Sequence, residues 1–407
     1  MKLSRRIGMG LVGPGFIAPH HIDAVRRLGN VDVLAIAGSS ERSARERAAE
    51  LGVPRSYGTY EELVADPEIE VVHNTTPSFL HFPVSMAAIA AGKHIISDKP
   101  LALTGTQCRT LRDAAETAGV VNAVTFNYRG NPLVQQARVM VDAGEIGHVI
   151  FVHGHYLQDW MADDHVYSWR LDPEKGGDSS ALADIGSHWC DLAEHIAGSK
   201  IVAVLADMTT VVKTRYTSGA SAKAFQSGTS AAAAKTPVDV KGEDLASVLL
   251  RFENGARGSL SVGQVLPGHK NELEIEVSGR TGSLRWNQER QNELWIGRHN
   301  RPNCIMAKDP TLVSPEVRSY VRLPGGHQES WSDAFFHVIA DIYARIRDRT
   351  LPPPPTLCAF ADATRIALLI EAMVASAAQG GVWQSIPPEK EPEALPARGD
   401  SLPVGPA

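Results

Sequence analysis

The chain has 407 residues, 43% of them hydrophobic and 21% charged, which excludes a wholly disordered, collagen-like or coiled-coil chain and gives length for two or three domains. Lys and Arg number 40 against 46 Asp and Glu, a net charge of −6, so no broad basic surface exists for a phosphate backbone and nucleic acid is not an expected partner. Four cysteines without a CxxC pair suit a reducing cytoplasm rather than a disulfide framework.

The N-terminal Lys2-Leu3-Ser4-Arg5-Arg6 and the apolar stretch behind it imitate a signal peptide or a twin-arginine signal. Gly8, Gly10, Gly13, Pro14 and Gly15 break that stretch and no A-x-A site follows, so it reads as a strand of the mature protein. No other run reaches the roughly 18 apolar residues of a spanning helix. From Ile7 to about Val124, apolar runs of strand type (7–12, 31–37, 71–74, 94–97, 120–125) alternate with helical segments such as 43–52, where Ala44, Ala48 and Leu51 share a face and Gly52 ends the turn. This alternation predicts an α/β, doubly wound parallel sheet over residues 1–126.

The first run leads directly into Gly13-Pro14-Gly15-Phe16-Ile17-Ala18, a G-x-G-x-x-A turn between strand and helix. Gly13 permits the tight turn, Gly15 lets backbone approach a pyrophosphate, and Ala18 lets the helix sit close to the sheet. The helix N-terminus then faces the diphosphate, so NAD or NADP is the expected cofactor. After the second strand the chain reads Gly38-Ser39-Ser40-Glu41-Arg42, with no carboxylate at the strand end. Ser39, Ser40 and Arg42 can accept either a ribose hydroxyl or a 2′-phosphate, which leaves the choice between NAD and NADP open.

Beyond Asn127 longer alternating strands appear (148–156, 201–211, 245–252, 256–265, 273–278), with Asn254-Gly255 as a hairpin signal. They predict a C-terminal α+β domain, residues 127–386, on a large open, mostly antiparallel sheet. Two late helices, 331–349 and 357–378, are expected to cover one face. Residues 214–236 read as a long exposed loop and 387–407 as a disordered, proline-rich tail.

Several polar groups invite chemistry. Asp184 and His188 are four residues apart on a predicted helix (181–198) and share a face, so they can orient a hydroxyl and take its proton; Asp191 and His195 repeat the spacing, and such stripes are also common on solvated faces. Lys99-Pro100 follows the 94–97 strand at the carboxyl edge, where a lysine can stabilise an alkoxide or simply mark a surface turn. His153, His155 and His165 with Asp159, Asp163 and Asp164 lack a spacing that completes a coordination set, so no metal is expected. Tyr156, Gln158, Asp159, Trp160, Trp169 and Arg170 resemble a sugar-binding rim, with Trp160 as plain core the competing reading.

Taken together, Gly13 to Ala18, Asn74-Thr75-Thr76-Pro77-Ser78-Phe79-Leu80-His81, Asp98-Lys99-Pro100, Phe126-Asn127-Tyr128-Arg129 and the stretch from Gly177 through Asp184-Ile185-Gly186-Ser187-His188 to Asp191 resemble the glucose-fructose oxidoreductase, inositol dehydrogenase and MocA family over residues 5 to 380. The departures are Asp98, where the family usually has glutamate, and the missing acid after the second strand. The resemblance implies a catalytic Lys99 on a cis Pro100, with Asp184 and His188 completing the set. It implies NAD or NADP, one per subunit, on Gly13, Gly15, Phe16, Ile17, Ser39, Ser40, Arg42, Thr75, Pro77, His81, Lys99, Pro100 and Asn127. The substrate would meet Lys99, Arg129, Tyr156, Gln158, Asp159, Trp160, Trp169, Arg170, Asp184 and His188. The implied reaction is hydride transfer from a secondary hydroxyl of a sugar, glycoside, anhydrosugar or cyclitol, at sugar C3 by the 156–160 resemblance, in a homodimer or homotetramer built through the open sheet. The family also contains glycosidases that oxidise C3 transiently, eliminate the aglycone, add water and re-reduce.

Overall fold

The computed structural model describes residues 5–217 and 236–387, so the expected tail beyond Pro387 and the middle of the expected loop lie outside the described residues. The first sheet holds β1 (Ile7–Val12), β2 (Val31–Ala37), β3 (Arg55–Tyr57), β4 (Val71–Asn74), β5 (His94–Ser97) and β6 (Asn122–Val124), ordered β3-β2-β1-β4-β5-β6. Every pair in it is parallel. All six residues of β1 are buried, as a strand between two helix layers requires. The three-residue β3 carries too little pattern to be legible, and β6 is shorter than the apolar run 120–125. Among the crossover helices are α1 (Ala18–Leu28) and α2 (Glu41–Leu51), then α3 (Tyr60–Ala65), α4 (His81–Ala90) and α5 (Gly105–Ala118). Helix α2 begins two residues before the expected 43–52 segment because the Ser40 hydroxyl accepts the Ser43 N–H at 3.3 Å, a side-chain N-cap.

The second half builds α6 (Pro132–Asp142), β7 (Val149–Leu157), the one-turn α7 (Pro173–Gly176) and α8 (Ser187–Ala197). It continues with β8 (Ile201–Thr209), β9 (Thr214–Thr217), β10 (Thr236–Asp239), β11 (Leu245–Phe252), β12 (Arg257–Gly263) and β13 (Glu272–Gly279). The last strands are β14 (Gly282–Asn287), β15 (Glu293–Arg298), β16 (Cys304–Ala307) and β17 (Gln384–Ser385). Nine of these form one sheet, ordered β16-β15-β14-β13-β7-β12-β11-β8-β17. Within it only β7 and β12 run parallel; every other pair is antiparallel. The hairpin between β11 and β12 turns at Gly255, at φ +89°. The short β14 to β16 were not legible in the sequence. The expected loop 214–236 is corrected at both ends, where β9 and β10 pair as a separate antiparallel ribbon.

The late helices are α9 (Trp331–Arg347) and α10 (Phe360–Ala378), and they do not share one face. Phe335, Ile339 and Ile342 of α9 join Met9, Leu11 and Ile22 in a core of the first half, while Leu369 and Met373 of α10 pack in the large core with Val204 of β8 and Leu111 of α5. The first half is thus completed by a helix from the far end of the chain. Among the described residues no helix is long and apolar enough to cross a membrane.

Candidate active site

The glycine turn is built as its sequence demands. Gly13 has φ +84°, and a Cβ there would stand 2.6 Å from the Thr76 backbone, so only glycine fits. At Gly15 the space a Cβ would fill is open apart from Gly13 O at 3.9 Å, a free face of backbone of the kind a diphosphate approaches. Ile17 gives α1 no side-chain cap and its first turn holds no acid, which leaves its terminal N–H groups positive toward an anion. Ala18 is fully buried and Phe16 is 56% exposed. Thr75 Oγ1 donates to Val12 O and to Gly13 O, at 3.0 and 2.7 Å, and so holds the turn from behind. Ser39, Ser40 and Arg42 lie beyond β2, beside the turn, where Gly13 N donates to Ala37 O. Ser40 Oγ is committed to capping α2, and Arg42 pairs at 3.8 Å with Glu46 on the surface.

His81 is one of the expected cofactor residues that the structure recasts. It is buried, with Nδ1 2.5 Å from Pro100 O and Nε2 2.8 Å from Thr76 O. It therefore braces the loop after β4, with Pro77, against the Lys99-Pro100 peptide, which is cis. Asn127 is buried and its Nδ2 has no partner within the protein. An orphaned donor at the carboxyl edge of the sheet, an open Gly15 face and an uncapped α1 together fit a nicotinamide dinucleotide.

Lys99 Nζ donates to Asp184 Oδ1 and to Asp184 O, both at 2.7 Å. Asp184 sits in a five-residue π-helical stretch, Leu182–Gly186, that runs straight into α8. Its carboxylate also accepts from Arg170 Nε at 3.3 Å and from Gln264 Nε2 at 2.8 Å. Burial works against the charged form of Asp184, but Lys99 and then Arg170 outweigh it and hold the carboxyl far below the usual range. His188 lies four residues on, edge-on to the rings of Phe126, Tyr128 and Tyr156 at 5.4, 5.1 and 6.3 Å between centroids. Its Nδ1 is buried without a partner. Burial, and then the Lys99 charge, push its pKa well below the ordinary histidine value, and Asp184 only partly offsets them. His188 is therefore neutral at pH 7 and able to accept a proton.

Around this set the rim closes as a chain of hydrogen bonds. Trp160 Nε1 donates to Gln158 Oε1 at 2.9 Å, and Gln158 Nε2 donates to Asn271 Oδ1 at 2.8 Å. Tyr156 also donates to Asn271 Oδ1, at 2.7 Å, and its hydroxyl lies 2.7 Å from that of Tyr128. The Arg170 guanidinium stands over Trp169 at 4.7 Å and Trp160 at 5.9 Å. Asp159 is drawn outward to Lys270 at 2.5 Å. Gln264 and Asn271 escaped sequence reasoning because only strand register brings them here: Gly263 of β12 and Glu272 of β13 both pair with Leu157 of β7, which sets Gln264 and Asn271 beside Gln158; Tyr128, quoted in the 126–129 motif without a role, arrives on the 3-10 turn Asn127–Gly130.

Two expectations are corrected. Arg129 does not reach this cluster; its guanidinium is buried against Asp191, at 2.5 Å, and Leu357 O, at 2.9 Å. Asp191 and His195 are not a solvated stripe but are 1% and 4% exposed, the histidine contacting Gln135 and Arg138. His153 and His155 lie near Glu276 and Glu272, at 3.8 and 3.6 Å, and among the described residues no group of His, Cys, Asp or Glu could hold a metal ion.

Comparison with known proteins bears on this site. Residues 7–126 match the family model described as an oxidoreductase family with an NAD-binding Rossmann fold, and residues 134–285 match that of the GFO/IDH/MocA C-terminal domain. Levoglucosan dehydrogenase of Pseudarthrobacter phenanthrenivorans is 30% identical over 94% of this chain and 99% of its own. The solved structure of levoglucosan dehydrogenase in complex with NADH and L-sorbose superposes with a TM-score of 0.84 at 29% identity, covering 94% of this chain and 99% of the other. An inositol dehydrogenase homolog complexed with NAD+ from Azotobacter vinelandii gives a TM-score of 0.81 at 26% identity, over 94% and 98% of the two chains.

Proposed function

The chain belongs to the Gfo/Idh/MocA oxidoreductase family, and from that premise we propose that it is an NAD(P)-dependent dehydrogenase oxidising a secondary hydroxyl, at C3, of a sugar, glycoside, anhydrosugar or cyclitol. The observation that carries this reading is the half-buried Lys99 ammonium, 2.7 Å from Asp184, which lies one helical turn from a neutral His188. The dinucleotide, held by Gly13, Gly15, the α1 N-terminus and Asn127, supplies the hydride acceptor. Lys99 donates a hydrogen bond to the substrate oxygen and stabilises the alkoxide that develops on it. His188 takes the hydroxyl proton; with Nδ1 enclosed by protein, Nε2 is the nitrogen that meets the substrate. Asp184 touches Lys99, Arg170 and Gln264, so its work is to fix the lysine and to bind a neighbouring hydroxyl. Trp160 and Trp169 offer faces to the C–H surface of the sugar.

The outer face of the nine-stranded sheet exposes Phe151, Leu249 and Ile305, which supports assembly through that face into a homodimer or homotetramer. Free cysteines, three buried and Cys304 exposed, accord with a reducing cytoplasm.

The test is a panel of sugars, anhydrosugars and aryl glycosides scored for both reduced cofactor and aglycone. One reduced cofactor per sugar consumed is expected. Free aglycone with only catalytic cofactor and no accumulation of its reduced form would replace the dehydrogenase with a redox-neutral glycosidase.

A further inference from the structure

The rim is carried by irregular backbone. Between the end of β7 and the turn at Trp169–Leu171 the chain forms no helix or strand, yet this stretch presents Trp160, Trp169 and Arg170 to the cleft. A segment without its own ladder leaves carbonyls that must be satisfied from elsewhere. Arg215, on β9, meets that need: it is fully buried, and its Nη1 donates to Asp163 O and Val166 O at 3.0 Å each, its Nη2 to Met161 O at 2.8 Å. The next residue, Tyr216, donates its backbone N–H to Asp164 O at 2.9 Å.

The same excursion of chain carries apolar support. Val240 joins Met161, Val166 and Leu171 in a small core of its own, with Trp160, Tyr167 and Val265 packed against it. At its base the Asp244 carboxylate accepts the N–H groups of Val211 and Val212 at 2.7 and 2.9 Å. The reacting set is anchored separately: Glu243 accepts Ser180 N–H at 3.0 Å and Leu182 N–H at 2.8 Å at the start of the π turn that bears Asp184. Rim and reacting groups therefore have separate backbone moorings, and they meet where Arg170 Nε and Gln264 Nε2 donate to the Asp184 carboxylate at 3.3 and 2.8 Å.

We propose that Arg215 is a positioning residue that sets substrate selectivity, holding residues 158–171 in the shape that presents Trp160 and Arg170 to the sugar. This rests on reading that rim as the sugar-binding surface. Loss of the guanidinium strips the donor from three loop carbonyls at once, while Lys99, Gln264 and the Glu243 anchor still hold Asp184 and its turn when Arg170 moves with the rim. The consequence falls on substrate binding and discrimination between sugars, and spares the chemical step.

Arg215→Met is expected to raise KM for the best sugar about tenfold or more while kcat changes less than about twofold, and Arg215→Lys to recover part of that loss. Amide hydrogen exchange on the full chain should speed up in residues 158–171 and stay unchanged in 181–198. If Arg215→Met does not fold, Arg215→Lys carries the test alone, with a smaller rise in KM and the same local pattern of exchange. An unchanged KM and sugar preference beside faster rim exchange would overturn the proposal, as would faster exchange throughout the chain or a fall in kcat at constant KM. Should wild-type protein oxidise no sugar, the dehydrogenase reading is what fails, and the exchange measurement still decides whether Arg215 moors the rim.

Discussion

The ammonium of Lys99 is held by two oxygens of one residue, the side-chain Oδ1 and the backbone O of Asp184, each 2.7 Å away. A lysine gripped by a helix backbone as well as a carboxylate cannot swing with the carboxylate alone. Substrate must enter a site whose cation is already aimed, so little reorganisation remains for the transition state.

Removing either proton-handling group should therefore cost rate and leave cofactor binding intact. Lys99→Ala and His188→Ala are each expected to lower turnover by about 100-fold or more, with cofactor dissociation constants from fluorescence titration close to wild type. Because burial keeps His188 neutral to well below the ordinary histidine pKa, the acid limb of the kcat/KM profile for oxidation should fall below about pH 6.5. Near-normal turnover in both variants would discard the mechanism.

Ser39→Asp should favour NAD over NADP. A carboxylate after β2 would bond the ribose hydroxyls and repel a 2′-phosphate. The ratio of the two dissociation constants is the readout; an unchanged ratio would place the ribose elsewhere along the turn.

Arg129→Met should act on stability and not on sugar affinity. It leaves Asp191 buried without its partner, and breaking a buried pair from one side costs about 3 to 5 kcal/mol. Thermal melts should register that loss while KM stays constant; a raised KM at unchanged Tm would restore Arg129 to the substrate site.

Acid should destabilise the protein through its buried imidazoles. His73 is buried, 2.8 Å from His21 across two Nδ1 atoms and 3.0 Å from Tyr343 Oη, and burial lowers its pKa to about 3. With a folded pKa below the unfolded one, the unfolded chain binds the extra proton. Stability is complete above about pH 6.5 and declines toward pH 3, by about 1.4 kcal/mol per pH unit for one such group. Denaturant melts between pH 7 and 5 should show a slope shallower by about that amount in His73→Gln; parallel slopes would reject the assignment.

The sequence carried unevenly. The glycine turn was legible because a strand followed by G-x-G-x-x-A is a pattern of close neighbours; a strand-end lysine and a four-residue spacing made Lys99, Asp184 and His188 candidates, and the family resemblance singled them out. Gln264 and Asn271 were not, since they reach the site by the register of β12 and β13 on β7, which no local pattern encodes. Arg129 was misplaced for a related reason. Its partner Asp191 lies 62 residues away, and motif resemblance locates a residue along the chain without saying which way its side chain turns.

The return of α9 to the first half has a practical meaning for protein engineering. The nucleotide-binding unit cannot be lifted out by cutting after residue 126: such a fragment would leave Ile22 of α1 and its neighbours facing water where Phe335 and Ile339 now cover them. A portable cofactor-binding module from this protein needs residues 331–347 spliced back onto it. Exchange of the substrate half between relatives must likewise stop short of Trp331, or it will exchange part of the nucleotide-binding core as well.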